Sequence, residues 1–173
     1  MDRDMAISKA EKLSKKYNWN PTEYNKAVSF DGDRNLQTFV ELEGGGLDTF
    51  KMLYSDSIFY PYVWRVRHFQ EKNPNEVSVW FTPEGKPYSF SQKLSEDEPG
   101  SAISRKDAYD IAMGSLKEDW YVNLDQYELI DESEKAQPGG RVDHTFTYQL
   151  SGFQLGENGF IKLKLTVQGD RLG

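Results

Sequence analysis

From Tyr62 to Phe90 the sequence YVWRVRHFQEKNPNEVSVWFTPEGKPYSF alternates residue by residue. On the outward run, Tyr62, Trp64, Val66 and His68 share one face and Val63, Arg65, Arg67 and Phe69 the other. On the return, Val77, Val79 and Phe81 oppose Ser78, Trp80 and Thr82. A period of two marks a half-buried strand, because a pleated backbone sends successive side chains to opposite sides. The linker EKNPNE, with Asn-Pro-Asn inside it, is turn chemistry, and PEGK after the second arm is another turn. The stretch predicts an antiparallel hairpin.

The pattern recurs near the C-terminus. Leu13, Tyr17, Asn20 and Tyr24 are spaced by 4, 3 and 4 residues, and Leu116, Trp120, Asn123 and Tyr127 by the same intervals. Upstream, Arg3, Ala6 and Ala10 match Arg105, Ala108 and Ala112, with one residue inserted after them in the second half. Val77, Val79, Phe81, Thr82 and Gly85 match Ile161, Leu163, Leu165, Thr166 and Gly169 at a constant offset of 84. Two matched blocks in the same order predict a tandem repeat of helix, strand and hairpin ending in a glycine turn. Each unit is α+β, a helix laid across an antiparallel sheet. The repeats fall at 1–94 and 102–173, with 95–101 as a linker. One unit is small for a core of its own, so two packed together, or two sheets joined edge to edge, would bury more. The first half carries a helical insertion, 31–57, that the second lacks. It is the place for something specific to this protein, although a helix covering a sheet edge is the plainer and preferred reading.

Taken in order, residues 4–17 read as an amphipathic helix with Asp4 as N-cap and Ala6, Ala10, Leu13 and Tyr17 in one stripe. Asn20-Pro21 ends it. Ala27 to Phe30 reads as a short strand closed by the turn Asp31-Gly32-Asp33. A helix from Asp33 or Asn35 puts Leu36, Phe39, Val40 and Leu42 inward and breaks at Gly44-Gly45-Gly46. It resumes from Leu47 to Tyr54, with Leu47, Phe50 and Leu53 or Tyr54 inward. Lys93 to Ser101 is polar. Ser104 and Asp107 form a capping pattern ahead of Ala108, Ile111, Ala112 and Leu116. Gln126 to Asp131 is a strand, and Glu132 to Arg141 a loop around Pro138-Gly139-Gly140. The next strand sets His144, Phe146, Tyr148 and Leu150 against Thr145, Thr147 and Gln149. After a turn at Gly156 to Gly159, the last strand sets Ile161, Leu163, Leu165 and Val167 against Lys162, Lys164, Thr166 and Gln168.

Composition narrows the classes. The chain has 173 residues, enough for one ordinary domain or two small ones, and 10 Phe, 10 Tyr and 4 Trp supply an aromatic core. Its formal charge of −7 disfavours nonspecific binding to nucleic acid or anionic membranes, and its acids are scattered as on a solvated surface. The absence of cysteine removes disulfides, thiolate catalysis and cysteine metal sites, without fixing the compartment. No apolar run approaches the ~20 residues of a membrane helix, and the N-terminus MDRDMAISKAEKL lacks a signal-peptide core. A start almost inside the first helix and a stop just after a strand are expected of an excised domain, with any signal or anchor outside it.

No stretch shows a catalytic constellation. Asp31-Gly32-Asp33-Arg34-Asn35 opens like a calcium loop, but the positions that need Gly and Glu hold Leu36 and Leu42, so a turn and helix cap is the better reading. His68 and His144, the only histidines, sit on different strands and read as strand residues with satisfied imidazoles rather than zinc ligands. Ser151-Gly152 and Gly114-Ser115 are not a hydrolase elbow. Gly44-Gly45-Gly46 lacks the Lys and Ser/Thr of a phosphate loop. Arg65 and Arg67 are expected to pair with cross-strand acids rather than nucleic acid. Nothing singles out one carboxylate pair among the 28 acids for acid–base work.

The R-x-x-A-x-x-x-A helix followed by a hairpin with a glycine turn resembles PepSY-type domains. Four segments carry a narrower likeness: Tyr62 to Phe69 (YVWRVRHF), Ser95 to Gly100 (SEDEPG), Asp143 to Tyr148 (DHTFTY) and Leu165 to Asp170 (LTVQGD). In these, and over most of its length, the chain looks like the extracytoplasmic N-terminal region of bacterial CPBP-type (CAAX-protease-like) intramembrane metalloproteases. The resemblance implies a PepSY/cystatin-like fold and an accessory, regulatory role outside the cytoplasm, anchored through a parent protein. That family's active site uses Glu-Glu-x-x-x-Arg and His residues on membrane helices. This chain has no Glu-Glu pair, so no catalytic residue carries over. The expected partner is a peptide or protein, the membrane part of its own parent included, with no cofactor and no metal. An exposed sheet edge, or the region of Trp64, Arg65, Arg67 and Trp80, would take an extended peptide by strand addition. A free-standing secreted or periplasmic ligand-binding or protease-inhibitor module is the alternative, and a soluble enzyme comes third.

Overall fold

The first helix forms because small and apolar residues recur on one of its faces. In the computed structural model, which describes residues 1–19, 23–32, 34–55, 60–120, 122–157 and 159–173, helix α1 spans Arg3–Lys16. Asp2, not Asp4, is its N-cap: the Asp2 carboxylate accepts the Met5 N–H at 2.8 Å. Asp4 lies in the first turn, where a negative charge favours the helix dipole. Ala6, Ala10 and Leu13 are buried, and two alanines let the helix backbone approach the sheet beneath it. The expected stop at Asn20-Pro21 lies outside the described residues.

That sheet is antiparallel, in the order β1-β2-β3-β4, from β1 (Asn25–Gly32), β2 (Tyr62–Phe69), β3 (Glu76–Phe81) and β4 (Pro87–Lys93). The hairpin register, His68 opposite Val77 and Val66 opposite Val79, puts the expected residues on one face. Val66, His68, Val77, Val79 and Phe81 are buried against α1. Strand β1 is longer than its sequence suggests. Asp31 and Gly32 pair with Val63 and Tyr62 instead of turning, because a full-length partner strand outweighs local turn preference. Strand β4 lies between the PEGK turn and the polar stretch from Lys93, where the sequence reading assigns no element.

The second half repeats the order. Helix α4 (Arg105–Ser115) has the expected cap, Ser104 Oγ accepting the Asp107 N–H at 3.2 Å, and buries Ala108 and Ala112. Its sheet runs β5-β6-β7-β8, from β5 (Tyr127–Ala136), β6 (Val142–Leu150), β7 (Lys162–Gln168) and β8 (Arg171–Leu172). The residue inserted into the second copy of the helix has a structural counterpart: α4 runs on as a π-helical turn, Leu116–Trp120. A π turn takes one more residue per hydrogen-bonded ring than an α turn, so it absorbs a single insertion without turning the buried face away. Strand β5 continues five residues past Asp131, to Ala136, so the loop expected from Glu132 contracts. The chain is thus α+β, with a helix over an antiparallel sheet in each half.

The halves pack on one another through aromatic rings. Tyr17 stacks on Trp19 and Trp19 on Phe90, and Phe90 meets Trp120 at a 35° tilt, with centroids 5.1, 4.8 and 4.8 Å apart. Tyr17, Phe90 and Trp120 touch the buried clusters of both halves. Trp19 Nε1 donates to Leu172 O at 2.7 Å, tying the start of the chain to its end. Residues 95–98 are held down by Arg141, whose Nη1 donates to Glu98 O at 2.9 Å and Ser95 O at 3.3 Å. The Arg141 Nε and Nη2 grip both oxygens of Asp143 at 2.7 and 3.2 Å, and its side chain is 2% exposed.

The insertion does not simply cover a sheet edge. Helices α2 (Arg34–Leu42) and α3 (Gly46–Ser55) bury Val40 and Leu53 against Leu155, with Phe153 and Ile161 beside them. These last three belong to the β6–β7 connection of the other half, so the insertion is a third bridge between repeats. Leu42, Leu47 and Tyr54 point outward, because the small helices have only one covered side.

Candidate peptide-binding cleft

The four aromatic and basic residues singled out in the sequence do not share one surface. Period two puts Trp64 on the α1 side of the sheet, where it packs on the first core and lies 4.9 Å from the Phe30 ring. Arg65, Arg67 and Trp80 occupy the opposite face. Arg67 meets its expected acid, donating through Nε and Nη2 to Glu76 Oε2 at 3.0 and 2.7 Å. That bond holds the Glu76 carboxyl below its ordinary range. Arg65 finds no acid among the described residues: its guanidinium lies 5.2 Å from the Trp80 ring, and Nη2 donates to Ser78 Oγ at 3.2 Å. Arg65 and Trp80 line a cavity of about 570 Å³ with Asp31, Arg34, Tyr60 and Tyr88.

A larger cleft, about 1470 Å³, lies between β4 and the polar face of the second sheet. Every residue from Lys86 to Gln92 lines it. A strand that turned one face to a cleft would contribute alternate residues. An unbroken run means that the strand presents its edge. Strand β4 is the last of its sheet, with β3 on one side only. The facing wall is built by β7, where Lys162, Lys164, Thr166 and Gln168 form one polar row, and by Asp143 and Thr145 of β6.

Among the described residues, three buried side-chain oxygens without a hydrogen-bond partner belong to glutamines that line this cleft, Gln92, Gln137 and Gln168. Gln92 is 8% exposed. Buried polar groups are usually paired, with protein or with ordered water.

Neither histidine lines either cavity. His144 Nε2 donates to Ile103 O at 3.0 Å, the satisfied ring the sequence predicts. His68 is not satisfied: Nδ1 lies 3.4 Å from Ser14 Oγ and Nε2 has no partner. Burial, then the nearby Lys26 charge, pushes the His68 pKa below its ordinary value. No group of three His, Asp or Glu side chains capable of holding a metal occurs among the described residues. Of the calcium-like stretch, Asp33 lies outside the described residues, while Asp31 in β1 accepts a hydrogen bond from Ser29.

The cleft was missed in the sequence because β4 was missed. Its signal is present: Tyr88, Phe90 and Gln92 alternate with Ser89 and Ser91 behind Pro87, and proline at the first position suits an edge strand. No family model matches the chain, and no curated protein or solved structure does either.

Proposed function

We propose that this chain is a non-catalytic binding module that holds an extended peptide or protein segment along β4. The unbroken lining from Lys86 to Gln92 carries this reading. An edge strand offers a row of unpaired N–H and C=O groups, and a partner that adds as a further strand satisfies them. The resemblance to PepSY-type domains and to the extracytoplasmic region of intramembrane metalloproteases supplies the setting: an accessory domain outside the cytoplasm, presenting substrate to a membrane protease or restraining it. The partner is then a peptide, a protein or the membrane part of the parent chain. The smaller cavity beside Arg65 and Trp80 favours a second reading, a free-standing module for a small ligand or an inhibitor of proteases.

Titration of ¹⁵N-labelled protein with extended peptides, and with the parent's membrane part, tests this. Shifts are expected in the amides of Lys86 and of residues 88–92, Pro87 having no N–H. A peptide N-methylated at alternate positions in one phase should lose binding, while methylation in the other phase leaves it, because only one set of N–H groups faces the strand. Shifts confined to Asp31, Arg65 and Trp80 would instead place a ligand in the smaller cavity, and no shift with any partner would end the peptide reading. Hydrophobic spans encoded beyond Gly173, with a Glu-Glu-x-x-x-Arg segment, would support the protease setting.

A further inference from the structure

The wall that faces β4 is basic in an acidic protein. The formal charge is −7, yet the cleft lining holds Lys86, Lys135, Lys162 and Lys164 against Glu134 and Asp143. Asp143 is neutralised by Arg141, and Lys135 by Glu96 at 2.7 Å. Lys162 and Lys164 have no carboxylate within ion-pair distance among the described residues, and their cross-strand neighbours on β6 are the neutral Gln149 and Thr147. The nearest acid along the Lys164 row is Asp131, two strands away, or about 10 Å at the usual strand spacing. A concave surface focuses the field of such a pair.

Spacing makes the wall selective. Lys162 and Lys164 are alternate residues of one strand, so their side chains leave the same face about 7 Å apart. A peptide extended along β4 repeats its own side chains at that interval. We propose that the cleft selects acidic extended segments with Asp or Glu at positions i and i+2, their carboxylates meeting Lys162 and Lys164. This rests on the strand-addition reading above.

Four octapeptides of one length test it: a glutamate pair at i and i+2, a glutamate pair at i and i+3, the i, i+2 glutamine pair and the i, i+2 lysine pair. Affinity is read from amide shifts of Lys86 and residues 88–92 at low and at 0.3 M salt. The i, i+2 glutamate peptide is expected to bind about tenfold more tightly than its glutamine counterpart, the effect of two partly exposed ion pairs. Salt should narrow the gap. The Lys162→Glu/Lys164→Glu protein, its fold checked by circular dichroism, should reverse the preference toward the lysine peptide. Equal binding of glutamate and glutamine peptides, or of the two glutamate spacings, overturns the proposal and leaves strand addition standing. Binding by none of the four removes both.

Discussion

Lys16 and Asp119 occupy equivalent positions in the two repeats, and they pair with each other, Nζ to Oδ2 at 2.7 Å. The same offset relates Leu13 to Leu116 and Tyr17 to Trp120. Contact between equivalent positions is what an isologous interface has at its axis, here formed within one chain. Asp119 also accepts the Tyr17 hydroxyl at 2.5 Å, and burial together with this carboxylate raises the Tyr17 pKa well above the ordinary phenol value.

The junction gives the first prediction. Both charges are partly exposed, so Lys16→Ala should cost only about 0.5 kcal/mol. Asp119→Ala should cost more, about 1–3 kcal/mol, since it also leaves a half-buried hydroxyl without an acceptor. In the Tyr17→Phe background that cost should shrink, and a double-mutant cycle by urea denaturation measures the difference. Simple additivity would mean that the hydroxyl is not energetically coupled to Asp119.

Protonation of His68 should destabilise the fold. Its folded pKa is lowered from 6.5, so between the folded value and 6.5 the unfolded chain binds more protons. Stability is therefore complete above pH 6.5, falls as pH drops through that window, and levels off below the folded pKa. The lowered carboxylates Glu11, Glu76, Glu84 and Glu96 lose their contributions only on acidification below 4.5. Denaturation midpoints at pH 7.5 and 5.5 should differ for the native protein and converge for His68→Leu.

Arg141 should be among the least replaceable residues. Removing it strands the Asp143 carboxylate, 10% exposed, and frees two backbone acceptors, Ser95 O and Glu98 O. Arg141→Leu is expected to cost about 3–5 kcal/mol. Arg141→Leu with Asp143→Leu should cost less than Arg141→Leu alone, because no buried charge is left. Hydrogen exchange at residues 95–101 should rise in both variants if Arg141 is what holds this segment down.

The insertion should come loose separately from the rest. Gly156 has φ +56°, and a Cβ there would lie 2.6 Å from Glu43 O, against backbone that cannot swing aside. Gly156→Ala is expected to cost about 1–2 kcal/mol, and Leu155→Ala about 2–3 kcal/mol. Amides of α2 and α3 should then exchange faster while those of α1 and α4 hold their protection. Uniform loss of protection would show instead that the insertion and the two repeats open together.

Much of this architecture is legible in the residues themselves. Ser104 announces its helix, the Tyr62 to Phe81 alternation has its observed faces, and the matched spacings locate the second repeat. Even the one-residue slip between Ala112 and Leu116 is visible, although only the backbone shows it as a π turn. Strands β4 and β8 escaped notice because each follows a glycine turn and is short or serine-rich, so its apolar signal is weak. Asp2 rather than Asp4 is the cap because its backbone is extended, at φ −99° and ψ 177°, while Asp4 already lies within the first helical turn.

Local pattern determined the repeat, the helix and strand periods and the buried faces of α1, α4 and the Tyr62 to Phe81 hairpin, but not those of the insertion, where Leu42 and Leu47 turn outward. These regularities follow from the geometry of a turn or a pleat, which a few neighbouring residues express. Tertiary structure alone decided what covers each face. Leu53 and Val40 had to be buried, but only the fold set them on Leu155 of the other repeat. The β4 edge had to lie somewhere, but only the packing of Trp19, Phe90 and Trp120 turned it toward Lys162 and Lys164. Hydrophobic burial is non-directional. It demands that a surface leave water without naming its partner, and the partner is chosen by how the two sheets fit together.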